Sequence, residues 1–107
     1  MAKCYRDEQI GLFGCPVDEN PTVAVMEAAF RALKIPYRYN TTLVYPKDLE
    51  DAVKGLRAFN YKGTHVTIPH KVAIIPYLDE LTPTAQLIGA VNTVYRRGDK
   101  LIGENTD

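Results

Sequence analysis

The stretch Thr64-His65-Val66-Thr67-Ile68-Pro69-His70-Lys71 decides the fold of this chain. Its β-branched run Val66-Thr67-Ile68 suits a pleated, covered strand, which predicts a buried strand over 65–68. Pro69 cannot donate to a ladder and fits the first turn of a helix. A helix is therefore expected to open at His70 and Lys71. In open α/β sheets, ligands sit just beyond the carboxyl ends of the strands, where such a junction lies. Lys71 would stand on the opening turn, beside the mouth of a cleft. The partial positive charge of a helix N-terminus disfavours an ammonium there. A lysine so placed is either fit for proton transfer or a solvated surface residue, and the stretch alone leaves both open.

Strand and helix alternate on either side. Ile10-Gly11-Leu12-Phe13-Gly14 is a short apolar run ending in glycine, a first buried strand. A loop follows through Asp18-Glu19-Asn20. Asn20 and Pro21 mark a helix start, with a side-chain cap and a proline at the first helical position. Val23, Met26, Phe30 and Leu33 recur at helical spacing, and Ile35-Pro36 stops that helix. Residues 37–44 alternate and are rich in β-formers, a second strand. Pro46 opens a further helix with an apolar stripe of Leu49, Ala52, Val53, Leu56 and Phe59, closed by Asn60 or Gly63. Beyond Lys71, residues 79–88 hold a helical turn or two around Pro83. Residues 89–97 and 100–103 are strands, and Gly98-Asp99 between them is a hairpin signal. The expected class is α/β: a mainly parallel sheet covered by helices on both faces, with a C-terminal antiparallel hairpin, in one domain over 1–107.

Charge narrows the function classes. Among 107 residues, 13 Lys and Arg balance 13 Asp and Glu. No broad field draws the chain to nucleic acid or an anionic membrane. No apolar run is long enough to span a bilayer, and the polar opening from Met1 to Gln9 lacks a signal-peptide core. Cys4 and Cys15 form neither a CxxC nor a Cys/His cluster, as reduced cytosolic thiols do. No GxGxxG follows a strand, so no dinucleotide pyrophosphate cradle is present. His65 and His70 are five apart with no third ligand in sequence, a poor basis for a metal site.

Three polar groups fall at strand ends. Asn92-Thr93 interrupts an apolar run, and an asparagine in a sheet is disfavoured unless its amide is used. It is either a satisfied structural amide or a ligand. Glu104-Asn105-Thr106-Asp107 follows a strand and reads as a tail or a capping turn. Asp18-Glu19-Asn20 reads as a solvated helix entrance or part of a site.

In this order, Gly14-x-Pro16 before a capped helix, Val66-Thr67-Ile68-Pro69-His70-Lys71, Asp79-Glu80-Leu81-Thr82, Gly89-Ala90-Val91-Asn92-Thr93 and Gly103-Glu104-Asn105-Thr106-Asp107 form a constellation. It resembles the N-terminal, substrate-binding domain of shikimate dehydrogenases over nearly the whole chain from Ile10. The resemblance implies reduction of 3-dehydroshikimate to shikimate with NADPH, and the reverse. It matches Lys71 to the catalytic lysine and Asp107 to its carboxylate partner. Asn92 and Thr67 match substrate contacts. A positioned lysine can exchange the proton of the reacting hydroxyl, and an amide both donates and accepts, as hydroxyls require.

Two positions depart from the family pattern. Where the family has Ser-x-Ser-Pro to hold the substrate carboxylate, this chain has a shorter loop reading Asp18-Glu19-Asn20-Pro21. Asn20 can cap the helix and donate to an anion, but Asp18 and Glu19 repel one. His65, a further candidate substrate contact, stands where the family has asparagine. The implied partner is a small cyclic polyol or acid: shikimate, a quinate-like or amino-substituted relative, or an uncharged polyol. The implied cofactor is NADP, bound by a following Rossmann domain that this chain lacks, so the chain alone is expected to be inactive. Neither nucleic acid nor membrane is an expected partner, a homodimer is left open, and a cytoplasmic location is expected. The alternatives are a non-catalytic module that binds a small polyol or acid, and a structural domain with an exposed strand edge.

Overall fold

A computed structural model describes residues 4–107, so the first three residues of the polar opening lie outside the described residues. Six strands form one sheet in the order β2-β1-β3-β5-β6-β4. They are β1 (Glu8–Gly14), β2 (Tyr37–Leu43), β3 (Gly63–Val66), β4 (Glu80–Leu81), β5 (Thr93–Arg97) and β6 (Lys100–Glu104). Strand β1 pairs in parallel with β2 and β3, and β4 in parallel with β6. Both neighbours of β5 run antiparallel to it. Only β5 is reversed, and the sheet is otherwise parallel. The predicted hairpin is present, with Arg97 opposite Lys100 and Gly98 at φ +64°. Strand β4 was not expected, because two residues carry no readable period.

Adjacent residues of β1 point to opposite faces, and this builds two cores. Leu12 packs with Val17, Phe30 and Tyr39 beneath α1 (Thr22–Leu33). Phe13 packs with Val44, Leu49, Val53, Leu56 and Val66 beneath α2 (Leu49–Ala58). Helices therefore cover both faces, as the alternating pattern predicts.

The ends of α1 and α2 differ slightly from the sequence expectation. Asn20 does serve α1, its Oδ1 accepting from Thr22 N at 3.0 Å, but Pro21 occupies the cap and the helix begins one residue later. Leu33 is 69% exposed rather than buried. It lies on the last turn, about 60° round the helix from Phe30, at the margin of the apolar stripe. Phe59 is 73% exposed, because α2 ends at Ala58 and its stripe ends with it. Asn60, at φ 59°, turns the chain out of α2. Gly63 instead lies inside β3, where an added Cβ would come within 2.3 Å of Val94 O.

The deciding stretch sits two residues earlier than expected. Strand β3 ends at Val66, although Thr67 N still donates to Phe13 O at 3.0 Å. The chain turns at Ile68-Pro69, whose peptide is cis, and Ile68 faces solvent instead of completing the strand. The helix that follows, α3 (His70–Ala73), is a single turn. So short a helix has little macrodipole, and Lys71 is not set against a strong positive terminus. A later helix, α4 (Pro83–Ile88), is capped by Thr82, whose side chain accepts from Ala85 N, and ends at Gly89 with φ +79°.

Two interactions fix the hairpin to the rest. Arg96 of β5 donates to the carbonyls of Tyr61 at 3.0 Å, Leu56 at 3.2 Å and Arg57 at 3.1 Å. A guanidinium thus adds a second donor to the Leu56 and Arg57 carbonyls at the end of α2, which already accept from Tyr61 N and Asn60 N, and its charge is favoured there. Asp79 accepts from Leu101 N at 2.7 Å and from Arg57 at 2.9 Å. These bonds, the backbone one foremost, hold its carboxyl below the ordinary carboxylate value.

Arg96→Met is expected to destabilise the fold by about 2 kcal/mol, since three charge-assisted hydrogen bonds to carbonyls are lost. Urea unfolding against Arg96→Lys checks this. Asp79 carries a depressed folded value, so its contribution is present above its unfolded value of 3.8 and is lost as pH falls through the folded one. Asp79→Asn should lower the thermal midpoint at neutral pH, and the gap to the unsubstituted chain should close in acid. A gap independent of pH would contradict the assignment.

Candidate active site

One rim of the sheet gathers the polar groups. Because only β5 is reversed, its amino end lies at the same rim as the carboxyl ends of β1, β3 and β6. Asn92 precedes β5, Thr67 follows β3, and Asn105 to Asp107 follow β6. Residues far apart in sequence therefore meet without any long loop.

The β1–α1 loop and the end of β3 enclose a groove of about 500 Å³, bordered by Val17, Asp18, Glu19, Asn20, Thr67 and Ile68. Cys15 N donates to Ile68 O at 3.0 Å, which ties the two segments together. Gly14 permits the approach: an added Cβ would stand 2.3 Å from Thr67 Cγ2 and 3.0 Å from Val17 Cγ1. Asn20 and Thr67 thus share one groove. Asn20 commits Oδ1 to Thr22 N, which leaves its Nδ2 to donate elsewhere. Asp18 and Glu19 are both exposed at the same lip.

Asn92 has a defined structural role. Its Nδ2 donates to Thr106 Oγ1 at 2.9 Å, and its Oδ1 accepts from Thr106 N at 3.1 Å and from Thr93 Oγ1 at 3.0 Å. One Nδ2 hydrogen remains for a ligand. Buried Asn105 adds a second tie, with Nδ2 to Ala90 O at 3.0 Å and Oδ1 accepting from Asp107 N at 2.9 Å. Lys71 joins the same cluster through its backbone, whose carbonyl accepts from Val91 N at 2.8 Å. The segments bearing Lys71, Asn92 and Asp107 are therefore laced together. The Lys71 ammonium, on a half-buried residue, and the exposed Asp107 carboxylate do not form an ion pair, and among the described residues no carboxylate lies within 4.0 Å of Lys71 Nζ.

The two histidines do separate things. His65 lies one step below Thr67 on the α1 face, and its Nδ1 is 2.9 Å from the hydroxyl of Tyr39. Burial pushes Tyr39 up to about 12 and lowers His65, so both are neutral at pH 7. His70 is buried on the other side and its Nε2 donates to Val44 O at 2.6 Å. Among the described residues, no group of three His, Cys, Asp or Glu side chains is placed to hold a metal.

A dinucleotide would be cradled at the turn between β1 and α1 in a sheet of this kind. Here that turn carries two carboxylates and no glycine after Gly14. These residues do not fit a pyrophosphate. Sequence reasoning left Tyr39, Thr82 and Asn105 without a role. Thr82 caps α4 and donates to Glu104 Oε1 at 2.7 Å, and Thr82-Pro83 is a cap-then-proline pair that signals it. Nothing local to Tyr39 or Asn105 announces a partner at a distant position.

Comparison with known proteins agrees with this geometry. Residues 12–94 match the family model described as the shikimate dehydrogenase substrate binding domain. A shikimate dehydrogenase (NADP(+)) of Geobacillus sp. (strain WCH70) is 48% identical over 107 residues, 100% of this chain and 37% of that protein. The ligand-free 5-ketofructose reductase of Gluconobacter sp. strain CHM43 superposes with a TM-score of 0.94 at 43% identity, over 96% of this chain and 37% of that one. The shikimate 5-dehydrogenase of Listeria monocytogenes, solved in complex with shikimate and NAD, gives 0.92 at 40% identity, over 94% of this chain and 35% of that one. The chain spans about a third of the length of the curated relatives it matches. Among the described residues, no helix is long and apolar enough to cross a membrane. On the family match and the shared fold, the chain belongs to the shikimate dehydrogenase substrate-binding domain family.

Proposed function

We propose that this chain is the substrate-binding domain of a cytoplasmic, NADP-dependent oxidoreductase that interconverts a cyclic 3-keto acid and its alcohol. The observation that carries the reading is the lacing of the Lys71, Asn92 and Asp107 segments at the rim where Asn20 and Thr67 share a groove. Lys71 exchanges the proton of the reacting hydroxyl, as a positioned ammonium or amine can. Asp107 is the carboxylate that orients it when substrate draws the two together. Thr67 and the remaining Asn92 hydrogen bond ring hydroxyls, and Asn20 Nδ2 supplies a donor at the groove. The cofactor is held outside these residues, in keeping with the NADP(+) in the relatives' names.

A second reading concerns the substrate. Asp18 and Glu19 line the groove lip and are exposed, and two carboxylates at about 4–8 Å from a third would repel it by a fraction of a kcal/mol to 1 kcal/mol each in water. This favours an uncharged sugar ketone over a keto acid. The similarity to the 5-ketofructose reductase supports the same direction.

Titration of the 107-residue chain with shikimate, quinate and 5-ketofructose, followed by amide NMR, separates the two. Shifts at Thr67, Lys71, Asn92 and Asn20 with the acids support the first reading. Shifts with 5-ketofructose alone support the second, and silence with all three removes both. In the protein that carries this chain with its cofactor-binding portion, Lys71→Ala should lower kcat by about 10²–10⁴-fold with a smaller change in KM. Undiminished turnover would exclude Lys71 from proton transfer. Replacing Asp18 and Glu19 together by Asn and Gln should tighten shikimate binding by about threefold to tenfold; unchanged binding would clear the loop of any part in acid rejection.

A further inference from the structure

Tyr39 and His65 form a polar pair on the α1 face that the roles above leave unused. Tyr39 is 3% exposed and packs with Leu12, Val17 and Phe30. Its hydroxyl meets His65 Nδ1 at 2.9 Å, with the rings 5.8 Å apart. Among the described residues no other hydrogen bond involves that hydroxyl.

A buried O–H without an acceptor is costly. The sole acceptor within reach is Nδ1, so the hydroxyl donates and Nδ1 must carry a lone pair. The ring proton then belongs on Nε2. Among the described residues Nε2 has no bond and is not among the buried polar atoms left without a partner, so it is open to solvent. His65 borders a shallow groove of about 160 Å³ together with Ile10, Lys62, Thr93 and Tyr95. Thr93 lies opposite His65 in the ladder, and its hydroxyl donates to Asn92 Oδ1. Two residues up the same face lies Thr67, in the larger groove. The pair is thus set beside the candidate site, with one ring nitrogen locked and the other open.

We infer that Tyr39 is a positioning residue that fixes His65 as a neutral ring with its proton on Nε2, presenting a donor-only group at the shallow groove beside the candidate site. The inference rests on the ring-ligand reading above for what the donor meets: an oxygen that accepts, a carbonyl, ring ether or hydroxyl lone pair. A freely turning amide at this place would donate and accept alike. A locked imidazole accepts nothing, so it discriminates among ligands by which of their oxygens can act as acceptor.

The test is direct observation of the ring in the 107-residue chain. Long-range ¹H–¹⁵N spectra of ¹⁵N-histidine-labelled protein at pH 7 should show His65 as a single Nε2–H tautomer. Tyr39→Phe keeps the core volume and removes the hydroxyl, and should give averaged ring nitrogens of mixed tautomers. The same variant should bind whichever of shikimate or 5-ketofructose the unsubstituted chain binds roughly fivefold more weakly, the worth of one oriented hydrogen bond. An Nδ1–H tautomer or an averaged ring in the unsubstituted chain overturns the inference, as does a Tyr39→Phe ring that stays locked. A locked ring in a chain that binds neither ligand upholds the role of Tyr39 and overturns the functional reading instead.

Discussion

The candidate site depends on two asparagines that close the rim of the sheet. Asn92 grips Thr106 through both ends of its amide, and Asn105 reaches back to Ala90 and forward to Asp107. Each amide fills donor and acceptor needs that water would otherwise meet, and Asn105 does so in a buried position where an unmet group is costly. The result is that the segment before β5 and the segment after β6 behave as one piece. Lys71 is attached to that piece by its own carbonyl rather than by its charge. The geometry of the rim is therefore set by neutral hydrogen bonds, and the charged groups are carried on it.

Topology makes this economical in chain length. A single reversed strand among parallel ones brings an entering segment and a leaving segment to the same edge. The short hairpin at Gly98-Asp99 makes the reversal, and Arg96 anchors it to the end of α2. Close approach does the remainder: Gly14 and Gly63 let backbone and side chains pass where any Cβ would collide.

Much of this was legible in the sequence, for identifiable reasons. The strands β1, β2 and β3 and the helices α1 and α2 carry strong periods and turn residues, and the hairpin carries its own dipeptide. The motifs at Thr67, Lys71, Asn92 and Asp107 led to the family, and the fold and the family match agree with that reading. What was not legible were the ends. Leu33 and Phe59 obey the helical spacing but fall where the helices stop covering the sheet. Ile68 completes a β-branched run, yet β3 ends at Val66 and the Ile68 side chain faces solvent. Pairings between distant side chains, such as Tyr39 with His65, leave no trace in local pattern at all, because neither residue is unusual where it stands.

The reversal of β5 also separates two ends of the molecule. The polar rim lies at one end of the strands, and the Gly98-Asp99 turn lies at the other, exposed and with open space around Gly98. A short loop with no neighbours to disturb, held on a firmly anchored hairpin, is an attachment point. A fluorophore, an affinity handle or a surface tether placed there would report on or immobilise the domain while the grooves stay free.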